Sequence, residues 1–197
     1  ILLYTGGFSP IKGIEYIIKT FVTNVKGDEY RLIILGENTL ISSGYKHIIK
    51  CILAQVIGYK YMGRELQKII DLDGRIKCIS VIYELSDIIK QSHCFISYFA
   101  IPHANLALAE NIILNNPCIA ADNEEAREYT SNGEYAMLVA PNDYKEFATR
   151  LNVFLANIDY WKNAACKGSV SLSKLFDKEN NISKFQRVLD DIMYSQN

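Results

Sequence analysis

The sequence lacks most of the features that would assign it quickly. No apolar run reaches the ~20 residues of a membrane span, and no charged leader with an apolar stretch and cleavage site opens the chain. Positive charge is not in excess: 21 Lys and Arg stand against 22 Asp and Glu, for a formal net charge of −1. That argues against a dedicated nucleic-acid binder, for which a basic face is expected. The five cysteines, Cys51, Cys78, Cys94, Cys118 and Cys166, form no C-x-x-C pair, and only three histidines accompany them. No ligand spacing results, so no metal site is expected, and the cysteines read as free buried thiols in a reducing cytoplasm. Internal repeats, low-complexity tracts and linker-like stretches are also missing, which excludes solenoid and disordered classes.

What remains is an ordinary globular composition. Half of the 197 residues are apolar (49%) and 22% are charged, enough for one domain with a sizeable core. The chain opens inside what reads as a core strand, Ile1-Leu2-Leu3-Tyr4-Thr5-Gly6, with no methionine. The expectation is therefore that a further segment precedes it.

Short β-branched or aromatic runs alternate with helical stretches. Strands are expected at Ile1–Thr5, Arg31–Leu35, Ile76–Ser80, Cys94–Tyr98, Cys118–Ala121 and Ala136–Val139. They are continuously apolar, as strands buried on both faces are. Helices are expected over Lys12–Val25, Ile48–Ile57, Leu66–Ile70, Glu84–Gln91, Ala104–Leu114 and Glu124–Thr130, and from a cap at Asn142 to Ala156. In the first, Ile14, Ile17, Ile18, Phe21 and Val22 share one face. A helical segment from Trp161 to Met193 should be broken near Gly168–Ser173. Strand–helix alternation predicts an α/β domain: a Rossmann-like, mostly parallel six-stranded sheet with helices on both faces. Ligands of such sheets bind at the carboxyl ends of the strands.

Two strand ends carry chemistry. After the first strand comes Gly6-Gly7-Phe8-Ser9-Pro10-Ile11-Lys12-Gly13. Paired glycines let the backbone turn sharply beside a ligand, and Lys12 sits where a helix start already favours an anion. A phosphate or diphosphate is the natural guest, although the segment is neither G-x-G-x-x-G nor a Walker A loop. After the fourth strand comes Ile101-Pro102-His103-Ala104-Asn105-Leu106-Ala107-Leu108-Ala109-Glu110-Asn111. Small residues and free N–H groups from about Ala104 to Leu106 would face the sheet mouth. Glu110, among leucines and isoleucines, needs a partner if buried; a ribose diol would serve.

Together these stretches resemble the donor domain of retaining glycosyltransferases of GT-B fold, family 4 type. That family has a G-R-x-x-x-x-K-G segment, matched by Gly6 to Gly13, and an E-x7-E segment ending at Glu110. Asn116-Pro117-Cys118-Ile119-Ala120-Ala121-Asp122 resembles its next strand, and Arg127-Glu128-Tyr129 its (P)-E-(V/I) segment. Asn132-Gly133 and Ala136 to Asp143 resemble its D-G-x-x-G-x-L-V-x-P-x-D run. The resemblance implies one half of a GT-B fold. Residues 1–197 would be a single nucleotide-sugar-binding domain, 158–197 its C-terminal helical segment, and the N-terminal acceptor domain would be absent.

It implies a hexosyltransferase moving a sugar from a UDP- or GDP-type donor to a hydroxyl with retention, in polysaccharide or glycoconjugate synthesis. Lys12 would contact the diphosphate and Glu110 the ribose. Gly6, Gly7, Asn105 and Leu106 would offer backbone donors, Ala104 would lie at the same helix start, and Ile82 would hold the base. No metal or cofactor is implied beyond the donor. The partners would be that donor and the missing domain, the location cytoplasmic, with any contact to the inner face of a membrane made through the missing half. Two departures stand out: Gly7 replaces the family's arginine, and Pro102 its first glutamate. Asn105 also stands where glycine is usual. Because the acceptor pocket would lie in the missing N-terminal domain, the isolated domain is expected to have little or no activity. The competing readings are a catalytically degenerate nucleotide-binding module serving a partner chain, a GT-B epimerase, and an unrelated flavodoxin-like domain.

Overall fold

The computed structural model describes residues 1–8, 12–36, 63–80, 84–99 and 105–194. Six strands, β1 (Leu2–Thr5), β2 (Leu32–Leu35), β3 (Ile76–Ile79), β4 (Cys94–Ser97), β5 (Cys118–Ala121) and β6 (Met137–Val139), form one sheet. Its order is β3-β2-β1-β4-β5-β6, and every pairing is parallel. The helices are α1 (Ile14–Asn24), α2 (Gly63–Leu72), α3 (Leu85–Gln91), α4 (Leu106–Ile113), α5 (Glu124–Thr130), α6 (Tyr144–Ala156), α7 (Ile158–Leu175) and α8 (Lys178–Tyr194).

Successive strand residues point to opposite faces, so an apolar strand feeds two cores. Leu2 and Tyr4 join Ile96, Ile119 and Val139 beneath α1, α2 and α6, with Phe21, Leu66 and Phe147 among the helix contributors. Leu3 joins Phe95, Cys118 and Ala120 beneath α3, α4 and α7, with Ile89, Leu108, Ile112 and Leu172. Each fully buried side chain of this size contributes about 1.5–3 kcal/mol. The face expected for α1 is the face it buries: Ile14, Ile17, Ile18 and Phe21 are all inside.

Several expectations shift. Lys12 precedes α1, because Gly13 holds the cap position at φ 66. The cap of α6 is Asp143, whose carboxylate accepts from the Glu146 amide at 2.9 Å; Asn142 lies one residue earlier at φ 63, in the left-handed region that asparagine tolerates. No break occurs near Gly168. Helix α7 is continuous through it, and the interruption comes at Phe176–Asp177. Gly168 serves packing instead: a Cβ there would lie 2.7 Å from Ile112 Cγ2 and from Tyr135 Cβ. Ser169 ties the same contact by donating to the Ile113 carbonyl at 2.6 Å. Of the cysteines, Cys94 and Cys118 are buried free thiols, Cys78 is half-buried and Cys166 is exposed. Cys51 and the helix expected over Ile48–Ile57 lie outside the described residues.

Candidate functional site

From β1 the chain builds outward through β2 and β3, then returns to place β4 on the other side of β1. Helices after β1 and β4 therefore leave on opposite faces, and a crevice opens between the two strand ends. The described residues of both stretches singled out in the sequence follow these two strand ends. The turn after β1 brings Gly6, Gly7 and Lys12, and the start of α4 brings Asn105, Leu106 and, one turn on, Glu110. Ile82 and Ala104, with Pro102 and His103, lie outside the described residues.

The first turn is fixed by backbone contact. The amides of Gly6 and Gly7 both donate to the Leu35 carbonyl, at 3.2 and 3.1 Å. In this structure the donors expected at those positions are thus engaged inside the protein. Gly36 packs on the back of the turn, where a Cβ would lie 2.6 Å from Gly7 Cα. Gly13 closes the other end: a Cβ on it would sit 1.7 Å from the Tyr98 carbonyl oxygen. Only glycine meets both that approach and the positive φ. Lys12 is half-buried, and its Cδ would lie 3.0 Å from a Cβ on Gly6. The buried Tyr4 hydroxyl donates to the Lys12 carbonyl at 3.4 Å, and burial pushes the Tyr4 phenol well up, so it stays a donor. Among the described residues Lys12 makes no ion pair, which leaves its charge available to an anion.

The second wall is held by side chains. Asn105 is buried, caps α4 by accepting from the Leu108 amide at 3.2 Å, and donates to Ser97 Oγ at 2.7 Å. One residue thereby satisfies a helix-start amide and ties it to the end of β4. The amides of Leu106 and Ala107, in the first turn, have no acceptor within a helix by geometry. Glu110 is exposed, not buried among its apolar neighbours, because α4 turns Leu108, Ala109 and Ile112 inward. It shares the outer face with Leu106, which is 56% exposed four residues earlier. An apolar side chain next to a carboxylate suits a ligand with a flat face and hydroxyls.

Three features were missed from sequence. Thr5 Oγ1, at the end of β1, is buried and has no hydrogen-bond partner among the described residues; a hydroxyl closing an apolar strand was the available signal. Asp122 and Arg127 close the turn after β5 with a two-pronged ion pair at 2.6 and 2.8 Å. Tyr16, Tyr98, Tyr144 and Phe147 form one aromatic cluster beside the first turn. Thirteen tyrosines in the chain hinted at such a cluster but did not place it. Among the described residues no helix is long and apolar enough to cross a membrane.

The profile of the family described as glycosyl transferases group 1 matches residues 1–157. Compared by sequence with curated proteins, the chain has no match. Among solved structures it is similar to HepE of Anabaena, solved with UDP and glucose, at 17% identity and a TM-score of 0.76. That likeness covers 96% of this chain and 48% of HepE. It is also similar to sucrose-phosphate synthase of Thermosynechococcus elongatus, at 18% identity and a TM-score of 0.70, over 98% of this chain and 45% of the synthase. Against the C-terminal domain of a group 1 glycosyl transferase, LpcC of Francisella tularensis, identity is 18% and the TM-score 0.62. Here 89% of this chain meets 85% of that domain. The chain thus spans about half the length of the first two relatives and most of the third.

Proposed function

The chain belongs to the group 1 glycosyl transferases, and from that premise we propose that it binds a nucleoside diphosphate sugar for transfer of the sugar, with retention, to a hydroxyl acceptor. The topology supports this reading: β1 and β4 are neighbours in the sheet, the turn bearing Lys12 follows β1, and α4 follows β4. A diphosphate between them meets a full positive charge and the positive end of a helix. Glu110, exposed one turn after Leu106, would accept from two ribose hydroxyls. Ile82 and Ala104 belong to the same reading, as main-chain contacts to the base and the phosphates.

Transfer from such a donor needs positioning and neutralisation of the leaving diphosphate more than covalent help from the protein. Lys12 and α4 supply that field without a metal ion. UDP is the first choice of donor nucleotide, since HepE is solved with UDP and glucose; GDP is the second. The acceptor would lie on the N-terminal half, so this chain alone has little activity. A role in polysaccharide or glycoconjugate synthesis in the cytoplasm fits such chemistry. The apolar stripe of α8, which buries no residue, would pack on the missing half, and any membrane contact would be made through it.

One observation favours a second reading, a degenerate module that binds nucleotide for a partner chain. Gly7 sits at φ 64, where an arginine would be strained. The turn is thus shaped for glycine where the family resemblance leads one to expect a cation.

Calorimetric titration with UDP, GDP, ADP and UDP-glucose tests both readings. Nucleoside diphosphate binding should weaken at least about tenfold, about 1.4 kcal/mol, in each of Lys12→Ala and Glu110→Ala. UDP-glucose binding no more tightly than UDP would favour the degenerate module. A folded chain that binds none of these would overturn the assignment of the site.

A further inference from the structure

A groove of ≈ 540 Å³ runs between α1 and α6 on the face away from α4. Its upper end is a ring pair: Tyr16 and Tyr144 stack with centroids 3.5 Å apart and planes 9° apart. Tyr98 backs both rings edge-on, at 6.5 and 5.9 Å, and is itself stacked on buried Phe147 at 4.4 Å. The platform is therefore rigid, yet Tyr144 remains 36% exposed. Below it the walls turn polar, with Thr20, Asn24, Lys145 and Thr149. Lys19 is held by Glu15, while Lys145 makes no ion pair among the described residues.

An exposed, well-backed tyrosine ring beside hydroxyl, amide and ammonium groups matches one ligand chemistry. A pyranose ring has an apolar C–H face and a rim of hydroxyls. We propose that this groove binds a hexose-based oligosaccharide, with Tyr144 as the stacking platform. Helix α1 is about 16 Å long, so more than one sugar unit fits along it. Tyr98 carries the carbonyl that Gly13 approaches, so the platform is built onto the turn bearing Lys12. A sugar chain held here would run toward the donor crevice. That role deepens the transferase reading and rests on it; the binding itself does not.

The test is a titration of the isotopically labelled chain, followed by amide resonances, with maltohexaose and with a hyaluronan hexasaccharide. Shifts confined to residues 16–24 and 144–149 are expected for at least one of them. Tyr144→Ala should weaken binding at least about tenfold, and Tyr144→Phe, which keeps the ring, should bind as the parent does. No shift in these segments with either sugar overturns the proposal. So does binding that survives Tyr144→Ala in a folded variant, or that Tyr144→Phe weakens as much. A UDP titration of the same sample separates the two readings. UDP binding without oligosaccharide binding sinks the groove alone, and the reverse sinks the donor site alone.

Discussion

The turn after β1 and helix α8 stand at opposite ends of how closely the described residues pack against their neighbours. In the turn, backbone meets backbone: Gly13 against the Tyr98 carbonyl, Gly7 against Gly36. Helix α8 has 17 residues and buries none of them, although Phe185, Val188, Leu189 and Met193 lie along it at 44–64% exposure. Apolar content is thus a poor guide to what a segment contributes here. A glycine with no side chain fixes the turn, while a helix rich in large apolar residues leaves them exposed. The turn holds Lys12 directly after β1; α8 offers an apolar surface that no described residue covers.

Gly13→Ala should break this contrast at its strong end. The new methyl would overlap the Tyr98 carbonyl, and the residue would keep a positive φ. Steric overlap and backbone strain together should cost about 3 kcal/mol or more, read as the midpoint shift in urea unfolding. Wild-type stability in this variant would mean that the turn is not packed as described.

Asn105→Ala comes next. It removes the cap to the Leu108 amide and the bond to Ser97 Oγ, for about 2 kcal/mol. Asn105→Asp, which keeps the capping oxygen, should recover about half of that. If both variants lose the same amount, the link to Ser97 matters and the cap does not. The comparison between a wall fixed by backbone and a wall fixed by side chains would then need redrawing.

How much of this was legible beforehand follows from what each residue does. The six strands were readable because a strand buried on both faces must be apolar throughout. The sharp turn after β1 was readable because paired glycines directly after a strand have few other structural uses. Asn105 was not, since nothing in the local pattern reveals that its amide reaches back eight residues to Ser97. Gly168 was misread as a break because a glycine that ends a helix and one that admits a neighbouring helix look alike in one dimension. Capping at Asp143 instead of Asn142 turned on a one-residue choice between two good caps. The exposure of Glu110 depended on which face of α4 the sheet would take, and its apolar neighbours on both sides left that open.

Away from the site, the pair of Asp73 and Arg75 sharpens the comparison at an intermediate size. The Arg75 guanidinium makes hydrogen bonds to both Asp73 oxygens at 2.9 and 2.7 Å, reaches the Val25 carbonyl at 2.8 Å, and lies 4.8 Å over the Phe21 ring. That hydrogen bonding holds the Asp73 carboxyl below the usual carboxylate range. Its folded value is depressed, so its contribution is complete above the unfolded value of about 4 and is lost as pH falls through the folded one. Asp73→Asn should therefore cost about 1 kcal/mol at neutral pH. Urea unfolding repeated at successively lower pH should show the two proteins converging as the Asp73 carboxyl takes up its proton in the folded state. A gap that persists there would assign the effect to packing, not to charge.

The smallest effect belongs to α8. Phe185 and Val188 are 64% and 54% exposed, so replacing both with serine should change the stability of this chain by less than about 0.5 kcal/mol. The same change should reduce self-association in sedimentation, because an uncovered apolar stripe is a contact surface for other copies. Joined to an N-terminal half that covers α8, the chain should respond differently. Each buried side chain would then be worth about 1.5 kcal/mol or more, and the pair would lower the unfolding midpoint measurably. A loss above about 1 kcal/mol in the chain alone would show that α8 is already held in solution. The contrast with the turn after β1 would then be one of degree, not of kind.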